Sequence, residues 1–118
     1  MKKIEAIIRK TKFDDVKDAL NEAGIDFFSY WDVRGVGKAR QKRIYRGVKY
    51  DTSTIERTIL SIIVRDKNVE KTILAIMKAA RTGEIGDGKV FVENIVDSYR
   101  IRTGESGDES LYIKEEED

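Results

Sequence analysis

Three short clusters in this chain pair glycine with a cation in a way that suits phosphate. The first is Thr82-Gly83-Glu84-Ile85-Gly86-Asp87-Gly88-Lys89. Gly83 and Gly88-Lys89 meet the spacing G-x-x-x-x-G-K, but Val90 stands where a P-loop needs Ser or Thr to hold magnesium. The segment also leads from a helix pattern into a strand pattern, the reverse of P-loop order, so it is not a Walker motif. Its glycine amides can still form an N–H nest for phosphate beside Lys89; the plain alternative is a glycine-rich connection. The second cluster holds Arg100 and Arg102, which alternate, so in extended chain both guanidinium groups face one side and suit a polyphosphate. A pair of surface salt bridges would explain them equally well. The third is Gly35-Val36-Gly37-Lys38, another place for close backbone approach with a cation beside it. Together the three make a phosphate ligand more credible than any one alone.

Other chemistry is excluded by absence. The 118 residues contain no His and no Cys, so the chain can supply no Ser-His-Asp or Cys-His nucleophile, zinc finger, haem ligand, phosphohistidine or disulfide. No apolar run approaches the roughly 20 residues of a membrane span, and Glu5 interrupts any signal-peptide pattern, so the expected address is the cytoplasm. The net charge of +1 conceals a separation. Arg34 to Tyr50 carries seven cations and no acid, whereas Glu105 to Asp118 carries seven acids against Lys114 alone. The acidic tail reads as a solvated, frayed terminus. The basic stretch, with Gly35, Gly37 and Gly47 and no apolar period, reads as a long loop of the kind that carries function.

The elements that must position these groups follow from periodicity. Ile4, Ala6 and Ile8 alternate in a strand over residues 3–9. Thr11, three before Asp14, resembles a capping box, and Phe13, Val16, Leu20 and Ala23 form a helical stripe that Gly24 ends. Phe27 to Val33 predicts a second strand. After the basic loop the order repeats: a strand over Thr58 to Arg65, a helix stripe at Val69, Ile73, Ile76, Met77 and Ala80, and a strand over Lys89 to Glu93. Ile7-Ile8-Arg9 leading to Asp15-Val16-Lys17, and Ile63-Val64-Arg65 leading to Val69-Glu70-Lys71, make a weak internal repeat. Two βαβ halves predict an α+β, ferredoxin-like double βαβ sandwich with a long loop between the halves. Helices cover one face of such a sheet, so the Ile- and Val-bearing opposite face is expected to bury itself against other copies.

Ile4 to Arg9, Ala79-Ala80-Arg81-Thr82-Gly83, Ile85 to Val92 and Ile101 to Glu105, with Tyr45-Arg46-Gly47 and Tyr50, resemble the PII nitrogen-regulatory signalling proteins. The resemblance covers residues 1–107 and leaves 108–118 as an acidic tail. It implies a ferredoxin-like trimer with three ATP or ADP sites in the clefts between subunits. By that resemblance the nucleotide meets Gly35, Val36, Gly37 and Lys38, and Thr82, Gly83, Gly86, Asp87, Gly88 and Lys89, with Lys89 at the phosphates. Arg100 and Arg102 reach across from a neighbour, and Phe28 and Ser29 lie near the adenine. Residues 34–53 become a protruding loop that docks onto a target: an ammonium transporter, a metabolic or modifying enzyme, or nitrogenase. Neither nucleic acid nor membrane insertion is expected.

The departures from the family pattern fall in the loop. Ala39 stands where a Gln normally helps hold magnesium and 2-oxoglutarate, and Gln41 comes two residues late, so Gln41 is the candidate for both. Arg57 replaces the usual loop-base Lys and is the other candidate 2-oxoglutarate group. Lys10 replaces an expected Pro, and Asp51 to Glu56 replaces an apolar-Pro approach to the next strand. Tyr50 matches the tyrosine that some members have nucleotidylylated. The leading expectation is a non-enzymatic nitrogen and energy-status sensor, with the nitrogenase-switching branch as an alternative. From another class comes a ferredoxin-like RNA-binding module, invited by the cationic loop with Tyr45 and Tyr50. No spacing of acids and lysines picks out an acid/base pair for an enzyme.

Overall fold

The structure is a computed structural model describing residues 1–37, 42–45, 48–51 and 54–113, the segments 42–45 and 48–51 by their backbone. Strand β1 (Lys2–Arg9) leads through a 3-10 turn, Lys10–Lys12, into helix α1 (Phe13–Glu22) and strand β2 (Ser29–Val36). Strands β3 (Lys42–Tyr45) and β4 (Val48–Asp51) pair with each other, and β5 (Thr54–Val64), α2 (Asp66–Ala80) and β6 (Gly88–Asn94) complete the second half. The main sheet has the order β2-β5-β1-β6, every neighbouring pair antiparallel. Each half is therefore a split βαβ unit with a strand of the other half inserted, which is the ferredoxin-like α+β fold.

The predicted alternation of β1 is the core face: Ile4, Ala6 and Ile8 are buried beside Leu60, Ile62 and Val64 of β5. Val16 and Leu20 from α1, and Thr72, Ile76 and Ala80 from α2, close the layer above them. Thr72 is tolerated there because its hydroxyl donates to the Asn68 carbonyl (2.6 Å). Phe13 packs on Tyr30 with ring centroids 4.4 Å apart, tying the start of α1 to the edge strand β2. Gly24, at φ +80°, ends α1 in a Schellman closure: its amide donates to Asn21 O and the Ile25 amide to Leu20 O.

Three expectations need correction. Thr11 does not cap α1; it lies exposed in the 3-10 turn, and the helix starts at Phe13 with Asp14 and Asp15 complementing its positive N-terminus. The second strand begins at Ser29 rather than Phe27 and runs on to Val36, while β5 begins at Thr54 rather than Thr58 and ends at Val64. The basic stretch is not one long loop, since it contains the end of β2 and both strands of the β3–β4 hairpin. The reason is common to the last two. Backbone pairing, Gly35 with Ile55 and Val36 with Thr54, extends a ladder through polar residues that side-chain patterning reads as a stop.

The face away from the helices carries Trp31, Val33, Ile55, Ile59, Ile63, Ile7 and Phe91 by strand alternation. Trp31, Ile63 and Phe91 remain 43%, 40% and 47% exposed, an apolar surface that a single chain leaves uncovered. Lys3, Glu5, Arg9, Arg57, Ser61 and Lys89 intersperse it.

Gly88 opens β6 at φ +104°, and a Cβ there would lie 1.7 Å from the Ile7 carbonyl oxygen. Gly88→Ala must push β6 off β1 or strain the backbone, so it is expected to lower stability by more than about 2 kcal/mol. Urea unfolding followed by circular dichroism checks this; an unchanged midpoint would contradict the close approach.

Candidate functional site

Helix α2 ends at Ala80, and Arg81 already has extended backbone. The chain must then return to pair β6 with β1, and Gly83 and Gly86 turn it at φ +89° and +106°. This reversal brings Asp87 back onto the start of its own loop. The Asp87 carboxylate accepts from the amides of Thr82 (2.8 Å) and Gly83 (2.9 Å), and from the Thr82 hydroxyl. The Thr82 oxygen accepts in turn from the Glu84 amide at 3.2 Å. The nest expected to wait for phosphate is therefore occupied at these two amides by an anion of the protein itself, which corrects that expectation.

The loop is also bolted to the sheet. Arg9 Nε donates to the Asp87 carboxylate (3.2 Å) and its terminal nitrogen to the Ile85 carbonyl (3.0 Å). Arg57 donates to the Gly86 carbonyl and is 8% exposed. Arg9 and Arg57 stand opposite each other on β1 and β5, so two like charges are paired across the ladder. Burial, then the charge of Arg9, depress the Arg57 pKa, with Asp87 opposing them. Arg57 also fills the space over Gly35, where a Cβ would meet its side chain at 3.5 Å. Thus Gly35, Arg57, Arg9, Gly86 and Asp87 form one connected cluster at one end of the sheet. Lys89, exposed and paired with Ile7, lies beside it in a cleft of about 440 Å³ that also includes Asp87, Gly88, Met77 and Phe91.

Phe28, Ser29, Arg100 and Arg102 lie elsewhere. Ser29 pairs with Ser61 and Gly35 with Ile55, six residues apart along β2, which is about 20 Å. The arginines follow the far end of β6. They are not in extended chain, which corrects the alternating reading. Residues 100–104 form a turn closed by the Gly104 amide on Arg100 O (2.7 Å) and the Arg100 amide on Glu105 O (2.8 Å). Arg102 is exposed, while the Arg100 guanidinium donates to the carbonyls of Tyr112 (2.5 Å) and Glu109 (3.2 Å). Its Nε lies 3.6 Å from the Glu105 carboxylate. The segment 107–113 is thus packed on the body, not frayed.

Lys38 and Gln41 lie outside the described residues, as does the side chain of Tyr50, whose backbone belongs to β4. Among the described residues no three acids gather to hold a metal. The nearest carboxylate, Asp87, is already saturated by its donors, so the described cluster does not fit magnesium. Sequence reasoning missed Arg9 as a member of the site. The signal was available only through register, which places its charge opposite Arg57.

A family model described as nitrogen regulatory protein P-II matches residues 1–105. The chain is 46% identical over 108 residues to the nitrogen regulatory protein P-II of Bradyrhizobium diazoefficiens, covering 91% of this chain and 96% of that protein. It is 44% identical over 112 residues to the corresponding protein of Rhodobacter capsulatus, covering 94% and 100%. Identity to nitrogen regulatory protein P-II 1 of Methanothermobacter thermautotrophicus is 45% over 112 residues, covering 94% and 97%.

The Thr82 hydroxyl, followed by the Thr82 and Gly83 amides and Arg9, holds the Asp87 carboxyl well below the usual carboxylate range. A depressed folded pKa stabilises above the unfolded aspartate value of about 3.9, and the contribution is lost as pH falls through the folded value. Asp87→Asn should therefore flatten the loss of stability between about pH 5 and pH 2 relative to the unaltered chain. Parallel urea midpoints across that range would show that Asp87 is not the ionised anchor of the loop.

Proposed function

The chain belongs to the nitrogen regulatory protein P-II family, and from that premise we propose that it senses ATP and ADP in clefts between the subunits of a homotrimer. Regulation of nitrogen is what the family's name states, and the proposed output is recognition of a target protein, without catalysis, by the basic segment 34–53.

The observation that carries this reading is the separation of the candidate groups across the edges and along the length of one sheet. Gly35 stands near the end of β2 and the loop with Gly86, Gly88 and Lys89 leads into β6, while Ser29, level with Ser61, Glu5 and Phe91, begins β2 on the opposite edge of the sheet and Arg100 and Arg102 follow the far end of β6. One chain cannot close these groups around one nucleotide. A second copy can, if its arginine end meets the first copy's loop end, and such head-to-tail contacts close into a ring. The uncovered face with Trp31, Ile59, Ile63 and Phe91 supplies apolar surface for that assembly. In the proposed cleft Lys89 and the amides of Gly86 and Gly88 approach the phosphates. Thr82 and Gly83 act through Asp87 by holding the loop in shape.

Arg57 supplies the route from ligand to output. It touches the Gly86 carbonyl on one side and Gly35, at the base of the basic segment, on the other. A phosphate that draws Gly86 toward itself alters the support of Gly35, and the population of target-competent conformers in residues 34–53 shifts with it. The described residues do not favour the RNA reading. Trp31 lies on β2 and Phe91 on β6, the two opposite edges of the sheet, so they form no adjacent stacking pair.

Calorimetry with ATP, and light scattering for a mass of about three times 13.5 kDa, test the proposal together. Lys89→Ala is expected to weaken ATP by about tenfold or more, or about 1.4 kcal/mol, without changing the mass. ATP binding as tight as in the unaltered chain would remove Lys89 from the site. Repeating the titration with 2-oxoglutarate separates a dual sensor acting through Gln41 and Arg57, in which ATP binding tightens, from an adenylate-only one.

A further inference from the structure

The turn that follows β6 places its two arginines in opposite surroundings. The Arg100 side chain is only 20% exposed. Its Nη2 donates to the carbonyls of Tyr112 (2.5 Å) and Glu109 (3.2 Å), and its buried Nε faces the Glu105 carboxylate at 3.6 Å. Both hydrogens of Nη2 are thus spent on the segment that follows. Arg102, two residues on, is exposed and has no partner among the described residues. Ile101 beside it is fully exposed as well. The tip of the turn is left unengaged by the chain's own described contacts.

That turn is built on Arg100 from two sides. Its backbone closes residues 100–104, the Gly104 amide donating to the Arg100 carbonyl (2.7 Å) and the Arg100 amide to the Glu105 carbonyl (2.8 Å). Its side chain clamps a strap formed by residues 107–113. The strap begins where the Gly107 amide meets the Ser98 carbonyl (2.9 Å) and the Asp97 carboxylate (3.1 Å), and the Ser110 and Ser98 hydroxyls join at 2.8 Å. The Glu105 carboxylate, facing Arg100, also accepts from the Thr103 hydroxyl (2.8 Å). Turn and strap therefore share one guanidinium. Swinging it out to a phosphate would strip two carbonyls of a charged donor, which costs more than losing a neutral one.

We propose that the two arginines divide the work at the nucleotide site: Arg102 contacts the phosphates, and Arg100 is a positioning residue that acts through it. This rests on the nucleotide reading and assigns its parts. The planar fork of Arg102 suits a polyphosphate and meets no competing acceptor among the described residues. The clamp at Arg100 holds the tip still, so Arg102 gives up little freedom when it meets the triphosphate at a neighbouring copy's loop. The strap, which lies past the last residue matched by the family model, thereby becomes part of the support of the site.

A double-mutant cycle on the full chain, with ATP binding read by calorimetry, tests it. Arg102→Ala is expected to weaken ATP about tenfold and Arg100→Ala about threefold. The double variant should bind as Arg102→Ala does, because a positioning residue has nothing to position once its partner is gone. Losses that multiply to about thirtyfold would overturn the proposal and make both arginines direct ligands. Arg100→Ala binding ATP as tightly as the unaltered chain would overturn it too, leaving Arg100 a purely structural clamp. Amide NMR spectra without nucleotide read the clamp itself: Arg100→Ala must move the Gly104, Gly107 and Tyr112 amides, and Arg102→Ala must leave them. A Tyr112 amide that ignores Arg100→Ala would sink the clamp. If Arg100→Ala spreads changes into the sheet, Arg100→Lys takes its place in the cycle, since its ammonium keeps the charge but cannot fork over two carbonyls. An unaltered chain that binds no ATP overturns the nucleotide reading and the role of Arg102 with it. A failed cycle on a chain that does bind ATP overturns only the division between the arginines.

Discussion

Two guanidinium groups face each other across β1 and β5, and the cluster around them depends on how that repulsion is answered. Arg9 and Arg57 are directly paired in the ladder, an arrangement that destabilises a sheet unless other charges or acceptors intervene. Here Asp87 takes Arg9 Nε, the Ile85 carbonyl takes a terminal nitrogen of Arg9, and the Gly86 carbonyl takes one of Arg57. The loop after α2 is thereby held to the sheet by its anion and its carbonyls, and its glycines adopt the left-handed turns that this geometry needs. Asp87 also satisfies the amides of Thr82 and Gly83, so one carboxylate both relieves the arginine pair and shapes the loop.

The topology then divides the remaining candidate groups. An antiparallel sheet in the order β2-β5-β1-β6 puts β2 and β6 on opposite edges, with the end of β2 and the start of β6 toward one end, the end of β6 at the other and the start of β2 level with the middle of β1. Ser29 is therefore three strands away from Lys89, and Arg102 lies beyond the far end of β6. In the proposed assembly a neighbour brings them together, and the sheet face left apolar on one side offers the surface for it. Arg57 touches the loop and the base of the basic segment at once, which is the contact through which the proposed ligand would act on that segment.

Much of this was legible from residue order. The alternation of Ile4, Ala6 and Ile8, the helical stripe ending at Gly24, and the repetition of the pattern after Thr58 are short-range signals, and each appears in the structure as a buried row or a helix end. The glycines of the loop after α2 were visible as glycines beside Lys89. Their partner was not. Asp87 reads in sequence as one more charge in a turn, and only the reversed chain path puts its carboxylate on Thr82 and Gly83. The basic stretch read as unpatterned because strand pairing at Gly35–Ile55 and Lys42–Asp51 uses backbone groups that every residue has. Arg100 and Arg102 alternate in sequence, but Gly104 at φ +75° closes a turn and sends the two side chains to different surroundings.

Sequence by itself determined the two βαβ halves, the chemistry that lacking His and Cys excludes, and the glycine and cation clusters, because these rest on local periodicity and on which functional groups exist at all. Only the tertiary structure decided which charges meet. Register set Arg9 against Arg57, chain reversal set Asp87 on its own loop, and sheet order set β2 and β6, with their candidate groups, on opposite edges. Those outcomes depend on contacts between residues tens of positions apart, and electrostatic and hydrogen-bond energies fall off over a few ångströms of space rather than along the chain.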